Sequence, residues 1–401
     1  MGQLFFNVLI TEEDFIQYWN RFLKKLTSIS SETDNICGVN QVQKILKDKL
    51  TELNLETNLI PNPDNHSRSG HLLVAQSKNK REKYITLICH ADTVYPLSKN
   101  PIVSSSDNKI FGSGIIDNKG GVTVGIYALS RLAEKNEDLS NYGIRFICSP
   151  NEEMGSPGFQ EIFEHYAKDS DVILGLEPAL ENGDIISSRK GNRWYDITFE
   201  GQSAHAGRHH AHGVNACAEL AIQMAKIHEL TNYDKDITVN VGKIEGGEKH
   251  NIVSDKAYAQ LDVRFPCFDS REEVSAKISD ILESRNVHNK NQTQFSNVTY
   301  EIVDDCPPLA KSIQSRKLFE VYKELIKENE KISIKERVVG GAADANYFSS
   351  KGKVILDGLG PIGAGMHTEN EYIELTSIKT RGDTLYQLIK KINQGVLHET
   401  C

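Results

Sequence analysis

The sequence predicts an α/β domain that is interrupted by a smaller, inserted α+β domain. Three short and almost continuous apolar runs are typical of strands that are buried on both faces of a sheet. They lie at residues 84–89, 144–148 and 172–176. Residues 191–304 instead follow the order strand, helix, strand, strand, helix, strand, which is the ferredoxin-like arrangement. We therefore expect a first domain, made of residues 1–190 and 305–401, in which helices flank a mixed, mainly parallel sheet, and an inserted domain at 191–304.

Hydrophobic periodicity predicts the remaining elements. Two amphipathic helices precede the first buried run, and Asn40 is the expected N-cap of the second helix. In the inserted domain, apolar residues from 257 to 265 alternate strictly with polar ones, which indicates a strand with one buried face. The elements expected from periodicity are helices near 15–26 and 42–53, strand 194–199, helix 214–230, strands 237–244 and 257–265, helix 274–282, strand 298–302, helix 318–326, strand 354–356 and helix 385–392.

Charge and composition argue against several classes of partner. The 401 residues include 46 Lys and Arg against 55 Asp and Glu, which gives a net charge of −9 and a pI near 5.8. A field of this sign repels phosphate backbones and anionic lipids, so neither nucleic acid nor a membrane is the expected partner. No apolar run approaches the roughly 20 residues of a membrane-spanning helix, and residues 1–10 lack the basic start of a secretory signal. We expect a soluble cytoplasmic protein.

Imidazole or carboxylate side chains follow each of the three buried runs. His90 and Asp92 follow the first run, Glu152 and Glu153 the second, and Glu177 the third. In open α/β sheets, ligands bind beyond the carboxyl ends of the strands, so we expect these side chains to share one crevice. A single residue of this kind is most often a solvated surface group or a turn residue. Five of them at successive strand ends favour a functional site.

Two further residues complete the candidate site. A glycine-rich segment at 114–121 carries Asp117, and a glycine-rich loop after the strand at 354–356 leads to His367. Imidazole and carboxylate without thiolate are typical ligands of a hydrolytic zinc site, and the seven cysteines never form a metal-binding pair. The candidate ligands are five: His90, Asp117, Glu153, Glu177 and His367. Because five ligands are too many for one open zinc site, we expect two metal ions about 3.5–4 Å apart.

Two carboxylates of the cluster suit supporting roles. Asp92 lies two residues beyond His90, where it can hold the imidazole and fix its tautomer. Glu152 is adjacent to the candidate ligand Glu153 and suits a general base that takes a proton from a water molecule between the metals.

Six segments resemble, in their order along the chain, the motifs of the family-20 metallopeptidases. This family includes glutamate carboxypeptidase, acetylornithine deacetylase, succinyl-diaminopimelate desuccinylase and aminoacylases. The segments are HADT at 90–93, GIIDNKGG at 114–121, NEEMGS at 151–156, LEP at 176–178, SAHAG at 203–207 and GMHT at 365–368. Their combination is specific, although no single segment is. The resemblance implies a zinc-peptidase fold whose inserted domain serves as a lid and dimerisation domain.

The resemblance also implies which residues bind metal. His90, Asp117 and Glu177 would hold one zinc ion. His367, Asp117 and Glu153 would hold the other, so that Asp117 bridges the pair. Cobalt is the expected substitute for zinc. Position 177 is a glutamate rather than an aspartate, and this residue type resembles the pattern of the glutamate carboxypeptidase branch.

Catalytic and substrate-binding roles are implied by the same resemblance. Asp92 would orient a metal-binding imidazole, and Glu152 would act as general base and acid. His205 resembles the family histidine that reaches the active site of the other subunit in a homodimer and polarises the scissile carbonyl. Asn251 and Arg264 match family positions that hold the substrate's carboxylate, for which a guanidinium is well suited. The strand alternation separately predicts that Arg264 lies on a polar face.

These implications favour a di-zinc hydrolase that cleaves the amide bond of a peptide or N-acyl amino acid next to a free carboxylate. The best single expectation is a carboxypeptidase that releases C-terminal glutamate. One alternative is a deacylase for acetylornithine or succinyl-diaminopimelate, and a more remote one is a non-catalytic binding protein on the same fold. One departure concerns specificity, because Ala343 occupies a position where many relatives carry a serine or threonine that can contact substrate.

Overall fold

A computed structural model describes residues 12–64, 68–96, 103–349 and 353–397 of the chain. The described residues fall into two compact units. The first comprises Met1–Ser188, Lys311–Val339 and Ala343–Cys401, and the second comprises Arg189–Ala310 and Gly340–Ala342. Residues 1–10, for which we expect no secretory signal, lie outside the described part. Every helix in the described part is too short or too polar to cross a bilayer.

Helices and strands are numbered here in chain order. The helices are α1 (Glu12–Thr27), α2 (Ile36–Glu52), α3 (Gly121–Glu134), α4 (Gln160–Ala167), α5 (Ala216–His228), α6 (Phe268–Glu283), α7 (Ile313–Glu330) and α8 (Ser377–Asn393). The strands are β1 (Leu55–Ile60), β2 (Leu72–Ser77), β3 (Tyr84–His90), β4 (Ser104–Ser106), β5 (Lys109–Phe111), β6 (Gly143–Ser149), β7 (Ser170–Gly175), β8 (Ile185–Arg189), β9 (Gly191–Glu200), β10 (Ala204–His205), β11 (Thr238–Gly246), β12 (Ile252–Val253), β13 (Lys256–Phe265), β14 (Asn297–Cys306), β15 (Glu336–Val339), β16 (Val354–Leu356), β17 (Gly363–Ala364) and β18 (Tyr372–Glu374). Short helical turns lie at Ile115–Gly120, Glu152–Met154, His210–His212, Tyr233–Lys235 and Asp344–Phe348.

The first unit is built on a six-stranded mixed sheet with the order β1-β2-β6-β3-β7-β16. The pairs β6/β3, β3/β7 and β7/β16 are parallel, and the pairs β1/β2 and β2/β6 are antiparallel. Every residue of β3 and β6 is buried, as the continuous apolar runs predict. In this register His90 lies opposite Ser149. The predicted α/β class is confirmed, and three site segments leave the same edge of the sheet.

A smaller four-stranded sheet in the same unit has the order β17-β18-β5-β4. The pairing of β18 with β5 places Ile373 opposite Ile110, and both side chains are fully buried. This sheet joins the chain just before the glycine-rich segment at 114–121 to the chain just after His367. Two segments that are distant in sequence are thereby held next to each other.

The start of α2 differs from the sequence prediction. The helix begins at Ile36, and Asn35 rather than Asn40 is its N-cap, because the Asn35 side chain accepts a hydrogen bond from the backbone N–H of Gly38. Asn40 lies inside the helix, and its Oδ1 accepts the backbone N–H of His71 at 2.7 Å. A long-range contact therefore occupies the side chain that the local pattern assigns to capping.

The second unit is a four-stranded antiparallel sheet with the order β11-β13-β9-β14, against which α5 and α6 pack. This is the strand order of the ferredoxin-like arrangement. The alternating residues of β13 place one set of side chains in the core and leave the other set partly exposed. The buried set is Ala257, Ala259, Leu261, Val263 and Phe265, and the partly exposed set is Tyr258, Gln260, Asp262 and Arg264.

Candidate metal centre

Three of the five candidate ligands of the first unit lie at or just after the ends of strands in its six-stranded sheet. His90 is the last residue of β3, Glu153 lies in the short turn after β6, and Glu177 follows β7 by two residues. Asp117 lies in the helical turn before α3, and His367 lies three residues beyond β17. The backbone of His367 has φ = 62°, a left-handed conformation that is uncommon outside glycine. A non-glycine residue is held in this conformation only when its surroundings define it strongly.

The carboxylate of Asp117 lies between two imidazoles. Its Oδ1 is 3.0 Å from His90 Nε2, and its Oδ2 is 3.3 Å from His367 Nε2. A second carboxylate accompanies each imidazole. Glu177 Oε1 is 3.7 Å from His90 Nε2, and Glu153 Oε2 is 3.4 Å from His367 Nε2. The site therefore contains two groups of donor atoms that share Asp117.

The donor atoms fit a divalent cation. One ligand atom each from His90, Asp117 and Glu153 lie within 4.8 Å of one another. Glu153 Oε1 is buried and has no hydrogen-bond partner among the described residues, which is costly for a carboxylate oxygen unless a cation or proton satisfies it. Nitrogen and oxygen donors of this kind suit zinc and related divalent ions. His90 is 1% exposed and His367 is 54% exposed, so the cluster is open on the His367 side.

Shifted pKa values show that the cluster attracts positive charge. Burial by itself lowers the pKa of His90, but hydrogen bonds to Asp117 and Asp92 raise it well above its usual range. Hydrogen bonds to Asp117 and Glu153 raise the pKa of His367 to about 10. Burial acts to raise the pKa of Asp117, and the two imidazoles outweigh it and lower the pKa. Without metal, protons on the two imidazoles supply positive charge to the cluster. A bound cation would supply this charge instead.

The turn after β6 carries two carboxyl groups in a poorly solvated setting. Burial raises the pKa of Glu152 well above its usual range, and the nearby charge of Glu177 adds to the effect. Burial likewise raises the pKa of Glu153. Among the described residues, none donates a hydrogen bond to the Glu152 carboxyl.

Asp92 connects His90 to the turn that carries Glu152 and Glu153. Its Oδ1 is 3.2 Å from His90 Nδ1 and accepts the backbone N–H of Glu152 at 3.0 Å. Its Oδ2 accepts the backbone N–H of Glu153 at 3.2 Å and the hydroxyl of Thr33 at 2.7 Å. Asp92 is fully buried. It therefore contacts the imidazole, as predicted, and also the backbone of the turn, a second contact that the sequence did not indicate.

Asp344 contacts the same turn from its other side, and no local sequence pattern indicates this contact. Its carboxylate accepts hydrogen bonds from the hydroxyls of Ser149 and Ser156, which flank the turn. Burial raises the pKa of Asp344 to about 6. The preceding residue, Ala343, is 5% exposed, and Tyr347 donates its hydroxyl to the carbonyl of Gly155 at 3.0 Å.

Three side chains fix the glycine-rich segment that carries Asp117. Asn118 donates its amide to Glu177 Oε1 at 2.8 Å. Lys119 is 1% exposed and donates to the carbonyl of Ile29 at 2.7 Å, and its burial lowers its pKa to about 7. The Glu371 carboxylate accepts hydrogen bonds from backbone N–H groups of this segment. Glu371 lies four residues after the candidate ligand His367, and this proximity is the only feature of the sequence that places it near the site.

The three candidate residues of the inserted segment lie in the second unit. β10 pairs with β12, and Ala206 N–H donates to the carbonyl of Asn251 at 3.0 Å, which brings His205 and Asn251 together. His205 is exposed, and its Nδ1 accepts the backbone N–H groups of Gly207 and Arg208 at 3.1 and 3.2 Å. A neutral imidazole held in this way carries its proton on Nε2.

Arg264 lies on the polar face of β13. Its Nε is 2.8 Å from Asp262 Oδ1, and Asp262 Oδ1 also accepts the indole N–H of Trp194 at 3.0 Å. Its Nη1 is 3.5 Å from Asn192 Oδ1. Its Nη2 has no partner within the described part of the chain, so one side of the guanidinium can still bind a ligand.

The fold and the carboxylate–imidazole cluster are those of a metal-dependent hydrolase. The model of peptidase family M20/M25/M40 matches residues 86–391, and the chain belongs to this family. The resemblance inferred from the six segments is thereby confirmed. The activity shared at this level is hydrolysis of peptides or amino acid derivatives.

Known relatives extend over almost the whole chain. Carboxypeptidase G2 of Pseudomonas sp. strain RS-16 is 27% identical over 385 residues, which are 93% of this chain and 89% of that protein. A LysW-lysine/LysW-ornithine hydrolase of Saccharolobus solfataricus is 27% identical over 360 residues, which are 88% of this chain and 90% of that protein. The structure resembles that of the aminopeptidase PepT from Bacillus cereus ATCC 10987 with a TM-score of 0.75 and 23% identity, covering 94% of this chain and 98% of that one. The similarity to this aminopeptidase structure shows that the two proteins share a fold.

Replacing Asp92 by asparagine is predicted to destabilise the first unit. Asp92 accepts hydrogen bonds from two backbone N–H groups and a hydroxyl, and an amide oxygen cannot serve all of them. Each buried donor left unpaired costs about 1–3 kcal/mol. Urea denaturation should therefore show a lower free energy of unfolding for Asp92→Asn. The matched control is Asp48→Asn on the exposed side of α2, which should unfold like the wild type. Equal stability of the two variants would contradict the claim that the hydrogen bonds of Asp92 stabilise the first unit.

Proposed function

We propose that the cluster of the first unit binds two divalent cations, zinc in the native protein with cobalt as a substitute. The observation that carries the proposal is the position of Asp117, whose two carboxylate oxygens face two different imidazoles at 3.0 and 3.3 Å. His90, Asp117 and Glu177 would hold one ion, and His367, Asp117 and Glu153 the other. The unpartnered oxygen of Glu153 and the raised pKa of His367 support this assignment.

Charge balance favours two ions over one. Asp92, Asp117, Glu152, Glu153 and Glu177 place five carboxyl groups at one end of the sheet. An imidazole that binds a metal ion is neutral and does not offset this charge, and like charges in a buried site repel strongly. Two divalent ions supply four positive charges. When bound, such ions polarise a carbonyl and make a water molecule more acidic.

Glu152 is the proposed proton-transfer residue. Its carboxyl accepts no hydrogen bond from a described residue, while its backbone is fixed through Asp92. It can therefore take a proton from the attacking water and later deliver that proton to the nitrogen of the leaving amine. Asp92 would keep the His90 imidazole oriented, with Nδ1 toward Asp92 and Nε2 toward Asp117.

His205 is proposed as a hydrogen-bond donor to the carbonyl of the scissile bond. The two backbone N–H groups at its Nδ1 leave Nε2–H as the exposed donor, which is the tautomer that this role needs. We propose that it acts at the metal centre of a second subunit. Asn251 lies beside it and would share in binding the substrate.

The proposed substrate is a peptide or N-acyl amino acid with a free carboxylate next to the scissile amide. Arg264 supports this choice because Asp262 orients its guanidinium and leaves Nη2 available for a carboxylate. The similarity to carboxypeptidase G2 and the glutamate at position 177 favour a carboxypeptidase, with C-terminal glutamate as the first candidate product. The inserted unit would act as the lid that carries these binding groups.

A second candidate is release of a cationic amino acid, as in the deacylases named above. It is favoured by the LysW-lysine/LysW-ornithine hydrolase, which is as similar in identity as carboxypeptidase G2. Such a substrate adds an amine that needs a carboxylate partner. Turnover of acyl-glutamate, acyl-lysine and N-acetylornithine, compared side by side, separates the two candidates.

Replacing Glu152 by glutamine is predicted to abolish most turnover without unfolding the protein. Loss of a positioned proton-transfer group should lower kcat by about 10²- to 10⁴-fold on an acyl-glutamate substrate. Steady-state kinetics of the zinc-loaded protein measures the effect, and urea denaturation checks the fold. Glu161→Gln, at an exposed position of α4, is the matched control and should keep wild-type kcat. Near wild-type turnover by Glu152→Gln would show that another group transfers the proton.

Replacing Arg264 by alanine is predicted to act on substrates with a free carboxylate. A charge-assisted hydrogen bond contributes about 1.5–3 kcal/mol, so kcat/KM should fall by roughly 10- to 100-fold for acyl-glutamate. The α-carboxamide of the same substrate should be hydrolysed equally by variant and wild type. Arg285→Ala removes an exposed arginine of the same unit and controls for net charge. An equal loss on both substrates would assign Arg264 a structural role.

We also propose a homodimer formed through the inserted unit. β14 is an edge strand of its sheet, and it exposes apolar side chains at Tyr300, Ile302 and Val303. Such an edge is suited to pairing with another chain. Light scattering should give twice the 44.9 kDa chain mass for the wild type and the chain mass for Ile302→Lys. A monomeric wild type at micromolar concentration would contradict the dimer.

A further inference from the structure

Glu371 lies beneath the glycine-rich segment and is 1% exposed. Its Oε2 accepts the backbone N–H of Gly114 at 2.8 Å, and its Oε1 accepts the backbone N–H groups of Ile116 and Asp117 at 2.8 and 3.0 Å. The hydroxyl of Tyr95 also contacts Oε2. Three backbone N–H donors and one tyrosine hydroxyl thus surround one carboxylate.

A carboxylate has about four lone-pair positions that can accept hydrogen bonds, and these four contacts occupy them. Burial raises the pKa of Glu371, and these hydrogen bonds act against that rise, because hydrogen bonds to an ionised acceptor are stronger than neutral ones. Both oxygens of Glu371 point at the backbone of the segment and at Tyr95, and so Glu371 is not placed as a ligand. Its effect on the site must pass through the residues that it holds.

The same carboxylate also joins the segment of Asp117 to the segment of His367. Tyr95 donates its hydroxyl to the carbonyl of Thr368 at 2.8 Å as well as contacting Glu371. The backbone N–H of Gly112 donates to the carbonyl of Glu371 at 3.1 Å. One network therefore contains the neighbours of both Asp117 and His367, whose side chains meet at 3.3 Å.

We propose that Glu371 is a positioning residue that sets the placement of Asp117 relative to His367, and through it the affinity and coordination geometry of the metal centre. The inference rests on the proposed function, because it needs a metal ion to be bound by these two residues. It differs from the proposed ligand set, since Glu371 would contact no metal itself. Outer groups that orient metal ligands typically change metal affinity by about 10- to 100-fold.

The test compares cobalt binding by the full-length wild type and Glu371→Gln. The glutamine amide keeps one acceptor oxygen and places an NH₂ group against backbone donors, so the segment should shift. The expected result is a Co²⁺ dissociation constant raised by about 10- to 100-fold in a chelator competition, together with a changed visible absorption spectrum of the bound Co²⁺. The spectrum reports coordination geometry, which a general loss of stability does not alter.

A matched control is Glu330→Gln. Glu330 is another buried carboxylate of the first unit, 6% exposed, and its partner is Arg381 at 3.1 Å. This variant should lose stability but keep the wild-type cobalt affinity and spectrum. If Glu371→Gln does not fold, Tyr95→Phe replaces it, since this change removes only the hydroxyl between Glu371 and Thr368. It should shift the cobalt spectrum in the same direction with a smaller effect on affinity.

Two outcomes overturn the inference, and they are distinguishable. If the wild type binds Co²⁺ but Glu371→Gln and Tyr95→Phe bind it with the same affinity and spectrum, Glu371 is only structural and the metal centre stands. If the wild type itself binds no Co²⁺, the proposed function fails and the inference fails with it.

Discussion

The sharing of one carboxylate between two imidazoles is the interaction on which the rest of the site depends. Asp117 faces His90 with one oxygen and His367 with the other, and each imidazole is close to a further carboxylate. This grouping is unfavourable by itself because it buries like charges. A protein maintains it where bound cations compensate the charge, and so the arrangement points to metal chemistry more directly than any of its residues alone.

Strong backbone anchoring maintains that arrangement. The candidate ligands come from five separate parts of the first unit, and three buried acidic residues tie these parts together without facing the ligand space themselves. Asp92 contacts both His90 and the turn after β6, Asp344 contacts the other side of the turn, and Glu371 contacts the segment of Asp117. Each accepts hydrogen bonds from backbone N–H or hydroxyl groups, which rigid positioning of metal ligands requires.

The sequence predicts the parts of this site that follow from local pattern. Continuous apolar runs correctly indicate buried parallel strands, and the residues after those strands meet because parallel strands end at one edge of a sheet. Contacts between distant segments leave no local pattern. Glu371 and Gly114 are 257 positions apart, and the contact of Asn40 with His71 leaves Asn35 to cap α2. Spacing along the chain therefore predicts the contact of Asp92 with His90, but not the helix start or the supporting contacts of Asp344 and Glu371.

The number of zinc ions bound per chain is the most direct test of a metal site that two ions share. Calorimetric titration of the metal-free full-length protein with zinc, checked by elemental analysis, gives this number without requiring a substrate. We expect two ions per wild-type chain and a smaller number for Asp117→Asn, because both ions depend on the shared carboxylate. A wild-type protein that saturates at one ion, or binds none, would contradict the shared site.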